Sequence, residues 1–469
     1  SPDGKYSFSP IVDVMGDWAS YSKGQPLPNG ATNGKFDLKS SGENFRRAQI
    51  GFQGTFAGDF GYKFMYDFGG TNGDETYQAY AGPNSATTTT VLQCSVALQA
   101  GVCPAGDLVN TTITNTALNT STGAGSGPHI KEAWVSYKGF LDPFTFKLGA
   151  MPTPANLSDM TSSDDLLFND RPSSAQISRD LAADDGRESV GFIGNGSWWQ
   201  GSAFFTGDTY GKGALLAPQK TYGGGQESVV ARAAFFPWLD PDTNFNVHLG
   251  GNISYVIHPQ EATSVTASGV SGVTTTPISF SDRPELRVDN ITFLSTGGID
   301  AKNAYAAGVE AAFSYGPFMV EGENFWYHID RNLEVAPPVP PAVLPSSPNF
   351  SGWYVEGSWV LTGEFRKYNP ANASYTRPSP AAPFDPLNGN FGAWEVAGRY
   401  SSTDMNYHVH SFDHIFGGNQ NIWSVGLNFY PNDTLKFMFD YQDVTLKDIG
   451  ALGNNGKYNT VSMRTQITF

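Results

Sequence analysis

From Thr460 to the last residue the chain alternates strictly. Val461, Met463, Thr465, Ile467 and Phe469 share one phase; Thr460, Ser462, Arg464, Gln466 and Thr468 share the other. Successive side chains of a strand point to opposite faces, so this segment predicts a strand with one apolar and one polar face. The pattern recurs throughout. Trp423, Val425, Leu427 and Phe429 oppose Ser424, Gly426 and Asn428; past Pro431-Asn432-Asp433, Leu435, Phe437, Phe439 and Tyr441 oppose Lys436, Met438, Asp440 and Gln442, which predicts an antiparallel hairpin. Similar runs surround Glu395 and Arg399, Glu356, Glu310, Asn246 and His248, Arg232, Lys63 and Asp67, and Arg47 and Gln49. One phase spans the chain, so a single domain over 1–469 is expected.

Connection lengths add a second regularity. Short turns are expected near 57–60, 139–143, 194–198, 237–243, 315–317 and 431–433. They alternate with long polar segments near 19–43, 70–127, 152–186, 207–224, 258–302, 331–349, 404–419 and 447–457. A closed barrel with one tidy end and one elaborate end produces this order, as in transmembrane barrels with short periplasmic turns and long extracellular loops. The predicted fold is therefore an all-β, antiparallel transmembrane barrel of about 16 strands. The Pro-rich stretch 364–390 breaks the rule, because it is long and falls on the short-turn side. Aromatic residues at strand ends, namely Phe236, Trp238, Tyr315, Phe429, Tyr430 and Phe469 at one end and Trp353, Tyr400 and Tyr441 at the other, suit a lipid–water boundary.

Composition agrees. The 469 residues contain 28 Lys+Arg against 44 Asp+Glu, a net charge of −16, which excludes an electrostatic nucleic-acid binder. No run approaches ~18 consecutive apolar residues, so helical membrane spans are excluded and strand spans are not. The first residues show no basic-then-apolar pattern, so an exported protein whose signal peptide is already removed is expected. Cys94 and Cys103 lie close together in one polar stretch, which implies either one loop-closing disulfide in an oxidising compartment or two inert thiols.

If apolar side chains meet lipid, their neighbours face a lumen. That phase carries the bases Arg47, Lys63, Lys147, Arg232, Arg399, Lys436 and Arg464, and the acids Asp13, Asp67, Glu132, Glu310, Glu321, Glu323, Glu356, Glu395 and Asp440. Mixed signs and many amides predict a hydrated interior and no packed core. The third long segment, 152–186, is the expected inward-folded plug. It holds Asp159, Asp164, Asp165, Asp170, Asp180, Asp184 and Asp185 against Arg171 and Arg179, and carboxylates at a narrow point would favour cations. An acidic external loop is the alternative.

Several segments resemble the phosphate-selective porin O/P family of Gram-negative outer-membrane channels. They are Phe45-Arg46-Arg47-Ala48-Gln49-Ile50-Gly51-Phe52, Tyr62-Lys63-Phe64 leading to Asp67-Phe68, Ile130-Lys131-Glu132-Ala133-Trp134, Lys147-Leu148-Gly149, Asn169-Asp170-Arg171-Pro172, Phe350-Ser351-Gly352-Trp353-Tyr354-Val355-Glu356 and Gly392-Ala393-Trp394-Glu395. The resemblance implies a 16-stranded homotrimeric barrel in the outer membrane, with an inward third loop, passing anions such as phosphate. Arg47, Lys63, Lys147, Arg171, Arg179 and Arg232 are then candidates for an inward basic ladder, and Phe469 resembles an assembly signal.

The reading from the residues is a porin for small hydrophilic solutes and ions with modest ion preference, needing no cofactor. Asp67, Asp164, Asp165, Glu310, Glu321 and Glu323 are the acidic pore-lining candidates. One rival is a soluble or surface carbohydrate-binding β-protein, which exposed Trp residues would permit. Another is a barrel enzyme, for which His408, His410 and His414 form the one histidine cluster; they fall in an expected loop, and no metal is expected there.

Overall fold

Sixteen antiparallel strands build the wall. In this computed structural model they are β1 (Ser7–Lys23), β2 (Ser41–Phe56), β3 (Phe60–Asp67), β4 (His129–Leu141), β5 (Phe144–Ala150), β6 (Arg187–Asn195), β7 (Trp199–Thr209) and β8 (Glu227–Asp240). They continue as β9 (Phe245–His258), β10 (Ile299–Tyr315), β11 (Phe318–Arg331), β12 (Asn349–Val360), β13 (Ala393–Tyr407), β14 (Ile415–Tyr430), β15 (Leu435–Ile449) and β16 (Asn454–Thr468). The structure describes all residues except 2, 24–37, 39, 70–86, 95–107, 116–128, 210–224, 266–270, 290, 333–345, 412 and 450–453. Each strand pairs with the next, and β16 returns to β1 from Asp13↔Thr468 to Lys23↔Tyr458, so the sheet has no free edge. A two-residue strand, Pro277–Ile278, adds onto the long-loop end of β10. Of the cysteine pair, Cys94 ends a strand outside the wall and Cys103 lies outside the described residues, as does the disulfide question.

Burial is inverted relative to a water-soluble protein. Ile50, Leu249, Val355, Trp423, Val425 and Val461 are 40–65% exposed on the outer face, whereas Lys436, Arg464, Gln466, Glu395 and Asn428 are at most 1% exposed inside. Such an apolar outer surface is stable only against hydrocarbon, so the sandwich alternative of a soluble β-protein fails. The boundary aromatics divide. Trp238, Tyr315 and Phe469 are 58–64% exposed on the outside. Phe236 and Tyr430, expected among them, point inward and are sealed. Phe236 follows the inward phase of Arg232 and Ala234, and the register shift between Phe235 and Trp238 is what returns Trp238 to the outside; Tyr430 likewise follows the phase opposite to Phe429.

The lumen is not uniformly wet, contrary to the expectation from its polar phase. Three connections fold inward: 151–186, 259–298 and, from the short-turn end, 361–392. The first carries α1 (Leu157–Met160) and α2 (Ser173–Ala182). Ala175, Ile177 and Leu181 of α2 pack with Ile278, Phe280 and Leu294, and with the inward Val256, Phe325, Tyr327, Ile329 and Phe350 of the wall. Inward positions near the long-loop end are apolar because loops cover them there. At the other end a small hairpin, Tyr368–Asn369 paired with Ser374–Tyr375, rises into the bore beneath α1. Its stretch is the one whose length broke the short-turn rule. A 16-stranded bore is too wide for wall side chains to fill, and these insertions fill much of it.

Candidate functional site

The inward third connection leans on one side of the barrel, and hydrogen bonds show which. The Leu157 and Ser158 amides donate to Glu323 at 2.9 and 3.1 Å, and the Tyr354 hydroxyl donates to the same carboxylate at 2.8 Å. The Asn169 amide donates to Asp440 (2.9 Å), Asn428 donates to the Leu167 carbonyl (3.0 Å), and the Lys436 ammonium reaches the Leu166 carbonyl at 2.6 Å. These anchors all come from β11 to β15. Arg46 of β2 donates to Asp170 (3.2 Å). Burial would raise the Asp170 carboxyl, but Arg46 and Arg287 outweigh it and hold the group at about 2.

Most of the acids expected to line a pore are used up in packing. Glu323 is spent on the loop amides. Glu310 takes Arg232 (2.8 Å) and His248 (3.2 Å), all with side chains sealed from solvent. Arg232 also donates to the Asn372 and Ala373 carbonyls at 2.9 Å, which ties the inner hairpin to β8. Glu321 is 4% exposed and stands opposite Glu356, which itself pairs with Arg399 at 3.3 Å. Asp67 accepts from the Gly69 amide (2.8 Å) and Gln49 (2.6 Å) at the top of β3. Asp165 accepts from the Arg377 amide (2.9 Å), and burial raises its pKa; neither it nor Asp164 reaches the gap described next.

Across from these anchors a cavity of about 430 Å³ remains between the loop and the wall from β2 to β7. Its cations are Arg47, Lys63, Lys131, Lys147, Arg171 and Arg179; its carboxylates are Glu132, Asp159 and Asp185. That leaves an excess of three positive charges. Every carboxylate is already held: Lys63 meets Glu132 at 2.8 Å, and Arg179 binds Asp159 at 2.6 Å and Asp185. Arg179 further takes Asp184 at 2.6 Å, so one guanidinium binds three of the loop's carboxylates and offsets one of their three charges. Arg171 instead donates to the Ser158 and Thr161 carbonyls, both at 2.9 Å, which keeps its charge while stiffening the loop. Among the described residues, Arg47, Lys131, Lys147 and Arg171 make no ion pair.

Strand register arranges the wall cations in descending order. Gln49 pairs with Asp67 near the outer end of β3, and Arg47 lies two residues further out. Lys63 pairs with Gln53 on one side and Trp134 on the other, and Lys147 pairs with Ser136 one inward step lower. Arg47, Lys63, Lys147, Arg171 and Arg179 thus share one space, while Arg232 is sealed behind the hairpin and leaves the set. Lys131 joins it. Strict alternation hid this residue, because a register shift between Met65 and Tyr66 opposite β4 lets both Lys131 and Glu132 face inward. The Ile130-Lys131-Glu132 sequence offered no local sign of that shift.

Replacing Arg179 by leucine is expected to leave Asp159, Asp184 and Asp185 without their shared cation. Removing one partner of a buried ion pair costs about 3–5 kcal/mol. The thermal unfolding midpoint should drop, and the reversal potential in a KCl gradient should shift toward that of potassium. An unchanged midpoint and potential would show that the cluster is solvated and does not depend on Arg179.

A family model described as phosphate-selective porin O and P matches residues 109–469. An uncharacterized protein of Caulobacter vibrioides (strain ATCC 19089 / CIP 103742 / CB 15) is 28% identical over 172 residues, which cover 35% of this chain and 31% of that protein. The match thus spans less than a third of that relative's length. The high-pH structure of Pseudomonas putida OprB is similar over 100% of this chain and 95% of its own, at 9% identity and a TM-score of 0.51, which shows a shared fold. The outer membrane channel DcaP of Acinetobacter baumannii aligns over 100% and 99%, at 12% identity and a TM-score of 0.47. With a sealed inside-out barrel, an inward third loop and a family model covering well over half its length, the chain belongs to the phosphate-selective porin O and P family of outer-membrane β-barrels.

Proposed function

We propose that this barrel is a passive diffusion channel of the bacterial outer membrane that prefers small anions. The observation carrying this reading is the lining of the gap, six cations against three carboxylates that are each already paired. A hydrated anion arriving from the long-loop end meets Arg47 and Lys131, then Lys63, then Lys147, with Arg171 and Arg179 facing it from the loop. Several moderate sites in series let an ion enter and still leave, whereas one deep site would trap it. The overall charge of −16 does not oppose this, because the buried acids are engaged in holding loops and the exposed ones are screened beyond about 8–10 Å at physiological salt.

Association into a homotrimer belongs to the same proposal. Strands β3 and β5 have 8 and 7 residues, whereas a tilted membrane strand needs about 9–11. This low side of the wall gains from cover by a neighbouring subunit. Its outer face carries the aromatic chain Tyr62, Phe56, Phe60, Tyr137, Phe140 and Phe146.

The test is a reversal potential. Purified protein reconstituted in a planar bilayer across a KCl gradient should give a potential near that of chloride. A potential on the potassium side would overturn the anion reading.

A further inference from the structure

The gap is not lined by charge alone. Trp134 on β4, Ile193 on β6 and Phe204 on β7 face it from the lumen phase of the wall, and Met160 faces it from the loop. None of the four belongs to the apolar clusters that pack the loops into the barrel, so their presence on a water-filled passage is not explained by folding.

They are also held in place. The Trp134 indole donates to Glu132 at 2.9 Å, and the Lys147 ammonium stands 3.9 Å from its ring centroid. Phe204 packs against Gly191, where a Cβ would come within 2.2 Å of the Ala203 carbonyl oxygen and 2.7 Å of the Phe204 ring. A larger residue at 191 would collide with the backbone of the neighbouring strand. The glycine therefore permits the close strand contact that seats Phe204 on this side of the gap. The cavity's 430 Å³ falls within the range of about 300–1,000 Å³ seen for small-molecule sites.

A hydrated inorganic anion gains nothing from such a wall, because water must stay ordered against the apolar side chains as it passes. An anion with an apolar body displaces that water and keeps its head group among the cations. We propose that the eyelet selects aromatic anions, a planar ring bearing one carboxylate or phosphate, with the head group at Lys147 and Lys63 and the ring against Trp134, Ile193 and Phe204. Ring contacts of this kind are worth about a factor of ten in occupancy. The inference rests on the anion-channel reading above and names its substrate class.

The experiment is block of single-channel KCl current by benzoate, phenyl phosphate, acetate and inorganic phosphate, added one at a time to reconstituted wild-type protein. Benzoate should block at roughly tenfold lower concentration than acetate, and phenyl phosphate at roughly tenfold lower than inorganic phosphate. Whichever aryl anion blocks harder identifies the favoured head group. Trp134→Ala and Ile193→Ser should each bring the aryl-to-parent ratio toward one. Equal block by benzoate and acetate in a wild-type channel that is anion-selective would overturn this inference and leave the proposed function standing. A cation-selective wild-type channel would overturn both.

Discussion

A double charge reversal, Arg47→Glu with Lys147→Glu, is expected to invert the selectivity of the channel. The gap would then carry four cations against five carboxylates, an excess of one negative charge in place of three positive. Both side chains make no ion pair among the described residues, so their loss strands no buried partner and the fold should persist. In a confined, partly dehydrated passage each fixed charge acts at an effective dielectric well below that of water. At about 4 Å and an effective dielectric of 20 a unit charge contributes about 4 kcal/mol before solvent screening, against about 1 kcal/mol in bulk water. A net change of four charges is therefore large against thermal energy even after heavy screening. The reversal potential in a KCl gradient should cross zero. A double variant that stays chloride-selective would place the selective step elsewhere in the bore.

Deleting the inner hairpin, with residues 368–375 replaced by a short Gly-Ser link, should widen the channel. This hairpin touches the bore through Tyr368 to His248 (2.7 Å), Tyr375 to Asn246 (3.1 Å), Ser374 to the Met160 carbonyl (3.0 Å) and the two carbonyls that Arg232 holds. Arg232 keeps its 2.8 Å bond to Glu310 without it, so no charge is orphaned. Asn372 at its tip also bounds the gap. A 16-stranded wall leaves an aqueous bore when nothing fills it, so conductance should rise at least roughly twofold. The third loop should loosen too, because Met160 loses its support. Unchanged conductance would mean that ions leave by a route that bypasses the hairpin.

The wall was legible in the sequence because its rule is local. Period-two alternation from Val461 to Phe469 needs only the geometry of a strand, and short-then-long connections follow from chain reversal at the two ends of a closed sheet. Two register shifts set its limits. One turned Trp238 outward although strict alternation would place it in the lumen with Arg232 and Phe236, and the other brought Lys131 into the gap beside Glu132. Neither leaves a mark in composition, since a shift of one residue depends on the partner strand.

Charge was legible as a count but not as a field. The same lumen phase holds Glu310, Glu323 and Asp440 together with Arg47, Lys63 and Lys147, and a tally of that phase suggests weak or cationic preference. Folding sorts them. Glu310 of β10, Glu323 of β11 and Asp440 of β15 are spent on loop amides and a buried guanidinium, and the bases of β2 to β5 line the gap. Local periodicity and the alternation of short and long connections determined that this chain closes into a lipid-facing barrel, because each residue's face follows from its immediate neighbours and each reversal from the ends of a closed sheet. Which charges border the open passage was decided only by the tertiary structure, because it depends on where three distant segments come to rest inside the wall.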